Sequence, residues 1–215
     1  FEYVKKVNIC GLRELESVII GSRSFRRDND SKGGSFYLKN CPKLRELRIT
    51  GVRSFEDFSV CEIESVDALE VIEMGDVNEE SFNFYWASLE LKNMPSLKSL
   101  KFGTGTFEYC SRVVFENLPE LTSIQMGNNA FWFKDGYLST TLIMRNLPKL
   151  TTLTTSGSDG YAFTNPYHIT LENMPNLTNV YLPGAFKNTE EVTMRGNISQ
   201  ALQDRLSRGD DCCAV

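Results

Sequence analysis

His168 is the only histidine in the chain. To act as a catalytic base it would need a serine or cysteine nucleophile held against it. Its neighbours, Tyr167 and Ile169, mark the entry to an apolar strand, so His168 reads as a solvated edge residue. Glu46 and Glu73 are the carboxylates that could form an acid–base pair of the glycosidase type. They occupy exposed positions in adjacent repeat units but are offset by one exposed position. The six cysteines lack metal-ligand spacing. Cys41 and Cys61 read as buried thiols, and a Cys10–Cys110 bridge is left open, because spacing alone cannot decide it. Lys32-Gly33-Gly34-Ser35 has neither nucleotide-loop spacing and reads as a hinge in a long loop. Cys212-Cys213-Ala214-Val215 has the outline of a prenylation box, but Asp210-Asp211 precedes it where a basic stretch is usual. Nothing here calls for a metal or a cofactor, and the chain reads as non-enzymatic.

Aromatic side chains are the remaining chemistry. Trp86, Trp132 and Tyr137 lie in loops, and Tyr181 is the one aromatic at an exposed strand position. Trp and Tyr are enriched at binding hot spots. They also fill gaps beneath long loops. The functional reading is that Trp86, Trp132 and Tyr137 share one loop edge and form a contact patch.

With 23 Lys plus Arg against 28 Asp plus Glu, the net charge is −5. That balance argues against nucleic acid, which asks for a basic face. No run of about 18 apolar residues is present, so no helical membrane span is expected.

The elements that must position these residues come from a repeat. Asn-x-Pro occurs five times, at Asn40, Asn93, Asn117, Asn146 and Asn173. Each Pro is followed two residues later by a leucine, and two further copies anchor on Leu15 and Leu69. The leucine spacings are 29, 25, 28, 24, 29 and 27 residues. Around each corner stand two short alternating runs, such as Val113/Phe115 and Ile124/Met126. Alternation of that length specifies half-buried strands. One such unit cannot bury its apolar face alone, whereas stacked units bury a continuous core. Seven coils at the strand spacing give a solenoid about 35 Å long. One loop phenylalanine per unit should stack into a spine: Phe25, Phe55, Phe82, Phe107, Phe131, Phe163 and Phe186. The asparagines should form a ladder bonded to backbone groups freed at the corner.

The second strand reads L-x-x-L-x-L, as in Leu97-Lys98-Ser99-Leu100-Lys101-Phe102. On that motif the chain resembles a leucine-rich-repeat protein. Leu121-Thr122-Ser123-Ile124, Ala130-Phe131 and Leu182-Pro183-Gly184-Ala185-Phe186 resemble the BspA-like class of microbial surface repeats. The resemblance spans residues 4–198. It departs in two respects: the asparagine precedes the L-x-x-L strand, and the opposite side reads as strand where helix is common. It implies a protein-interaction or ligand-binding module, adhesin-like, with a protein or glycan partner and a cell-surface or secreted setting. An intracellular scaffold and a carbohydrate-active β-solenoid enzyme are the alternatives.

The expected fold is therefore mainly β. It is a leucine-rich-repeat solenoid of seven to eight coils over 1–198, with two short parallel strands per coil. Ile198, Leu202 and Leu206 share one helical face behind Ser199 as N-cap, so 199–208 is expected to be a capping helix. Residues 209–215 are expected to be a disordered tail. The first coil opens at Phe1, Val4 and Val7 with no cap, which predicts further repeats or a leader ahead of Phe1.

Overall fold

The computed structural model describes residues 4–25, 33–134, 136–157 and 160–207. Its strands are β1 (Lys6–Cys10), β2 (Ser17–Ile20), β3 (Gly34–Lys39), β4 (Glu46–Ile49), β5 (Phe58–Glu64), β6 (Val71–Met74), β7 (Leu89–Lys92), β8 (Ser99–Phe102), β9 (Arg112–Glu116), β10 (Ser123–Met126), β11 (Thr141–Arg145), β12 (Thr152–Thr155), β13 (His168–Met174), β14 (Asn179–Tyr181) and β15 (Glu191–Ile198). The helix α1 is Gln200–Ser207.

The coils stack as a parallel β-solenoid. The even-numbered strands form one continuous seven-stranded sheet, β14-β12-β10-β8-β6-β4-β2. The odd-numbered face divides into β1-β3-β5 and β15-β13-β11-β9-β7, with no ladder between β5 and β7. Register follows the repeat: Leu100 sits opposite Ile124, and Ile124 opposite Leu153. These positions are fully buried, as are Phe115, Leu142, Met144 and Leu171. Alternation thus places every inward position read from the sequence on one side of its strand.

The corner has a backbone reason for its asparagine. Asn40, Asn93, Asn117, Asn146 and Asn173 all have φ between 51° and 56°, and Gly11, Ser65 and Gly196 take the same slot in the other units. Glycine enters the left-handed region freely, and asparagine does so at least cost among side-chain-bearing residues. The residue after it is buried, and the proline then stands at the second position of a turn, closed for example by Leu44 N–H to Cys41 O at 3.1 Å. The ladder differs from expectation. The amides bond one another: Asn117 Nδ2 to Asn93 Oδ1 at 2.7 Å, Asn146 to Asn117 at 2.7 Å, Asn173 to Asn146 at 2.9 Å; a backbone group joins only at the last rung, Asn197 N–H to Asn173 Oδ1 at 3.4 Å. Stacking at the strand spacing brings each amide donor against the next acceptor before any backbone group.

The phenylalanine spine is present with one correction. Phe55 and Phe84 stack at 4.8 Å, Phe84 and Phe107 at 5.4 Å, Phe107 and Phe131 at 5.4 Å, and Phe131 and Phe163 at 5.4 Å. In the third unit Phe84, not Phe82, carries the spine. That loop is longer: Phe84 lies ten residues after Met74, whereas Phe107 lies five after Phe102. Asp76–Glu80 makes the excursion, tied down by Ser81 Oγ and by Ser156 Oγ on Val77 O at 2.6 Å. Asn83 then fills the small-residue slot before the ring and donates to Ser54 O at 3.1 Å. Every spine phenylalanine has φ between 50° and 64°. Each such residue costs about 1–2 kcal/mol of backbone strain, which burying the ring, worth about 1.5–3 kcal/mol, offsets. Gly127 permits close approach of the loops, since a Cβ there would lie 2.3 Å from Thr104 N.

Charge alternates from coil to coil. On the odd-numbered face Lys92, Glu116, Arg145, Glu172 and Arg195 follow one another in register. Arg145 bonds Glu116 at 2.8 Å. Each exposed pair contributes at most about 1 kcal/mol. A slip by one coil would oppose like charges, so the alternation favours this stacking order.

At the C-terminal end α1 packs on β14. Ser199 caps it, with Leu202 N–H to Ser199 Oγ at 3.4 Å, and Leu202 is buried. Arg205 donates to Leu182 O, Pro183 O and Ala185 O. The expected boundary at Arg208, the tail 209–215 and residues 1–3 lie outside the described residues, as do the CCAV sequence and Lys32.

Candidate functional site

The chemistry first suspected is engaged in structure. Arg48 donates to Glu46 Oε2 at 2.8 Å and also pairs with Glu73. One guanidinium therefore stands between the two carboxylates that could have formed an acid–base pair. Its own pKa is raised by those two hydrogen bonds. His168 is not merely solvated: Nδ1 meets Glu191 Oε2 at 2.8 Å and Nε2 meets Leu138 O at 3.1 Å. Cys41, Cys61 and Cys110 are buried free thiols, and Cys10 is an exposed one. Burial pushes the Cys61 and Cys110 thiols up, away from the reactive thiolate. Among the described residues no group of three or more His, Cys, Asp or Glu could hold a metal ion.

The aromatic residues concentrate on the loop edge, just past the spine. Each spine ring fixes the direction of the two residues after it. After Phe84 come Tyr85 and Trp86, and after Phe107 come Glu108 and Tyr109. Tyr109 N–H bonds Tyr85 O at 2.8 Å, which locks the two loops together. Trp86 and Tyr109 stack at 5.1 Å and 24°. Tyr85 meets both edge-on, at 4.9 Å and 5.0 Å. Phe82, displaced from the spine, lies 5.8 Å from Tyr85, and the Arg53 guanidinium sits 5.0 Å over its ring. Tyr109 is 38% exposed.

Glu108 lies within this cluster. Burial, and then the charge of Glu80, push its carboxyl up to about 7. Its Oε2 is buried and makes no hydrogen bond. Burial and the Glu108 charge likewise raise the Tyr85 hydroxyl. The site is thus a rigid aromatic ridge over a carboxylate that gains from a proton or a cation.

The candidates read from the sequence fall into separate groups. Trp86 belongs to the ridge. Trp132 is half-buried and faces Tyr161 at 6.2 Å, with the Lys187 amine 4.7 Å over the Tyr161 ring. Tyr137 is 49% exposed and carries Lys134 against its ring and hydroxyl. Tyr181 stands 47% exposed on the even-numbered sheet, beside Thr154. Glu108 and Tyr109 do not stand out in the sequence, and Tyr85 shows there only as a loop aromatic. The pointer is the position two residues after the spine ring, which leads from Phe84 to Trp86 and from Phe107 to Tyr109; assigning the third unit's ring to Phe82 conceals that the two positions match.

A concave feature runs along the corners, lined by Pro95, Pro119 and Pro148 over the asparagine ladder, with Asp67 also lining it. It holds no aromatic and no cation, so it offers few anchors.

Comparison with protein-family models, with characterised proteins and with solved structures found no match to this chain.

Proposed function

We propose that the chain is a non-enzymatic binding module, a leucine-rich-repeat solenoid of BspA-like character, that holds a protein partner on its loop edge. The observation that carries the reading is the Tyr85–Trp86–Tyr109 ridge. Trp86 and Tyr109 stack, Tyr85 meets both edge-on, and the three partly exposed rings are carried by the spine beneath. Rigid aromatics lose little entropy on binding and are typical anchors. Glu108, with an unbonded buried oxygen among them, favours a partner that brings a lysine or arginine to the ridge. The Arg48 bridge between Glu46 and Glu73 weighs against a carbohydrate-active enzyme at that place, since an acid and a base need separate environments.

The test is affinity capture on the immobilised chain, compared with its Tyr109→Ala and Glu108→Gln variants. A partner retained by the wild type and lost from Tyr109→Ala supports the reading. Turnover of a polysaccharide by the chain, abolished by Glu73→Gln, would replace it with the enzymatic alternative.

A further inference from the structure

We infer that two copies of this chain associate through β15, antiparallel, across a two-fold axis at Thr193. β15 is the last strand of its sheet, bonded to β13 on one side and to no strand on the other among the described residues. Glu191 donates its N–H to Tyr167 O. By alternation along the strand, the N–H and C=O groups of Val192 and Met194 point away from β13, towards the open edge. An open edge of eight residues is a template for pairing, and proteins usually blunt such edges. This one also exposes two apolar residues, Val192 at 42% and Met194 at 48%. Both sit at inward positions, opposite Ile169 and Leu171. Among the described residues the eighth coil has no second strand to cover them. Val192 faces a trough of about 370 Å³ shared with Phe186 and Leu206.

The strand is self-complementary in one register. With Thr193 opposite Thr193 of the second copy, Val192 lies opposite Met194 and Glu191 opposite Arg195, each twice by symmetry. Val192 and Met194 then exchange their outward backbone groups as hydrogen-bonded pairs. Glu191 and Arg195, both exposed, meet at the closer non-hydrogen-bonded positions, where charge pairs count most. Centring the axis on Val192 or Met194 instead satisfies the backbone but leaves the charges unmatched. A second copy therefore satisfies the edge, the apolar pair and the charges at once, in the isologous arrangement usual for dimers.

Sedimentation equilibrium on the 215-residue chain should show a reversible dimer. Glu191→Arg and Arg195→Glu should each weaken it by about tenfold or more, since each opposes like charges twice. Mixing the two variants should restore association, because the chain with two cations then meets the chain with two carboxylates. In Thr193→Cys, mild oxidation should join the two copies through residue 193, whose opposed Cα atoms fall within disulfide range, and peptide mapping reads this out. Circular dichroism should stay that of the wild type throughout. A chain that stays monomeric at every concentration would overturn the proposal. So would a dimer indifferent to both charge reversals, or one that Thr193→Cys does not cross-link.

Discussion

Trp86 and Tyr109 stack at 5.1 Å from neighbouring coils, each two residues beyond a buried spine phenylalanine. The contact is a surface consequence of the core: the coil spacing that stacks Phe84 on Phe107 also stacks the residues they carry. Because Tyr109 is partly exposed, Tyr109→Ala should cost only the pair energy of about 0.5–1.5 kcal/mol. Trp86 should then fluoresce further to the red, having lost its cover. An unshifted emission spectrum would mean the stack does not form in solution.

The spine makes a sharper distinction within one unit. Phe84→Ala should lower stability by about 3–5 kcal/mol in denaturant melts, leaving a cavity between Phe55 and Phe107. Phe82→Ala should cost about 1 kcal/mol or less, since its ring is only part-buried beneath Arg53. The reverse order would return Phe82 to the spine.

At the corner, conformation and hydrogen bonding can be separated. Asn117→Gly keeps the left-handed backbone and loses the ladder, for about 0.5–1.5 kcal/mol. Asn117→Leu loses both, for about 1–3 kcal/mol. Equal losses from the two, measured by chemical denaturation, would show that φ at residue 117 does not matter.

Much of this was legible because a solenoid is periodic. Ile124, Leu100 and Leu153 alternate with polar residues in their strands, and alternation alone places them in the core. The third unit was not legible at its loop, because Asp76–Glu80 breaks the spacing that identifies the spine ring, and Phe82 and Phe84 have the same parity. The asparagine slot was visible, but the amide-to-amide direction of its ladder depends on a coil spacing that no single unit contains. The aromatic ridge was half visible. Trp86 stood out by residue type, whereas Glu108 becomes distinctive only through what buries it.

Glu108 sets a pH dependence. Its folded pKa of about 7 lies above the ordinary carboxyl value of 4.5, chiefly through burial. The folded protein therefore holds the proton more tightly than the unfolded chain. Stability falls as pH rises from about 4.5 through about 7 and levels off above. Glu108→Gln should remove that slope. It should stabilise the protein at pH 8 by roughly 1–2 kcal/mol, the full linkage value being reduced by the solvent that reaches the group. Near pH 4.5 the two proteins should melt alike; a gain that persists there would assign the effect to something other than ionisation.

On the proposed function, a partner is held by the loop edge and not by the even-numbered sheet. Titration calorimetry with a captured partner separates the two surfaces by comparing Tyr109→Ala with Gln125→Ala, an exposed sheet residue of the coil after the Phe107 loop. Tyr109→Ala should weaken affinity by about tenfold or more, while Gln125→Ala should leave it within about twofold. Loss with Gln125→Ala and full affinity with Tyr109→Ala would place the partner on the sheet instead.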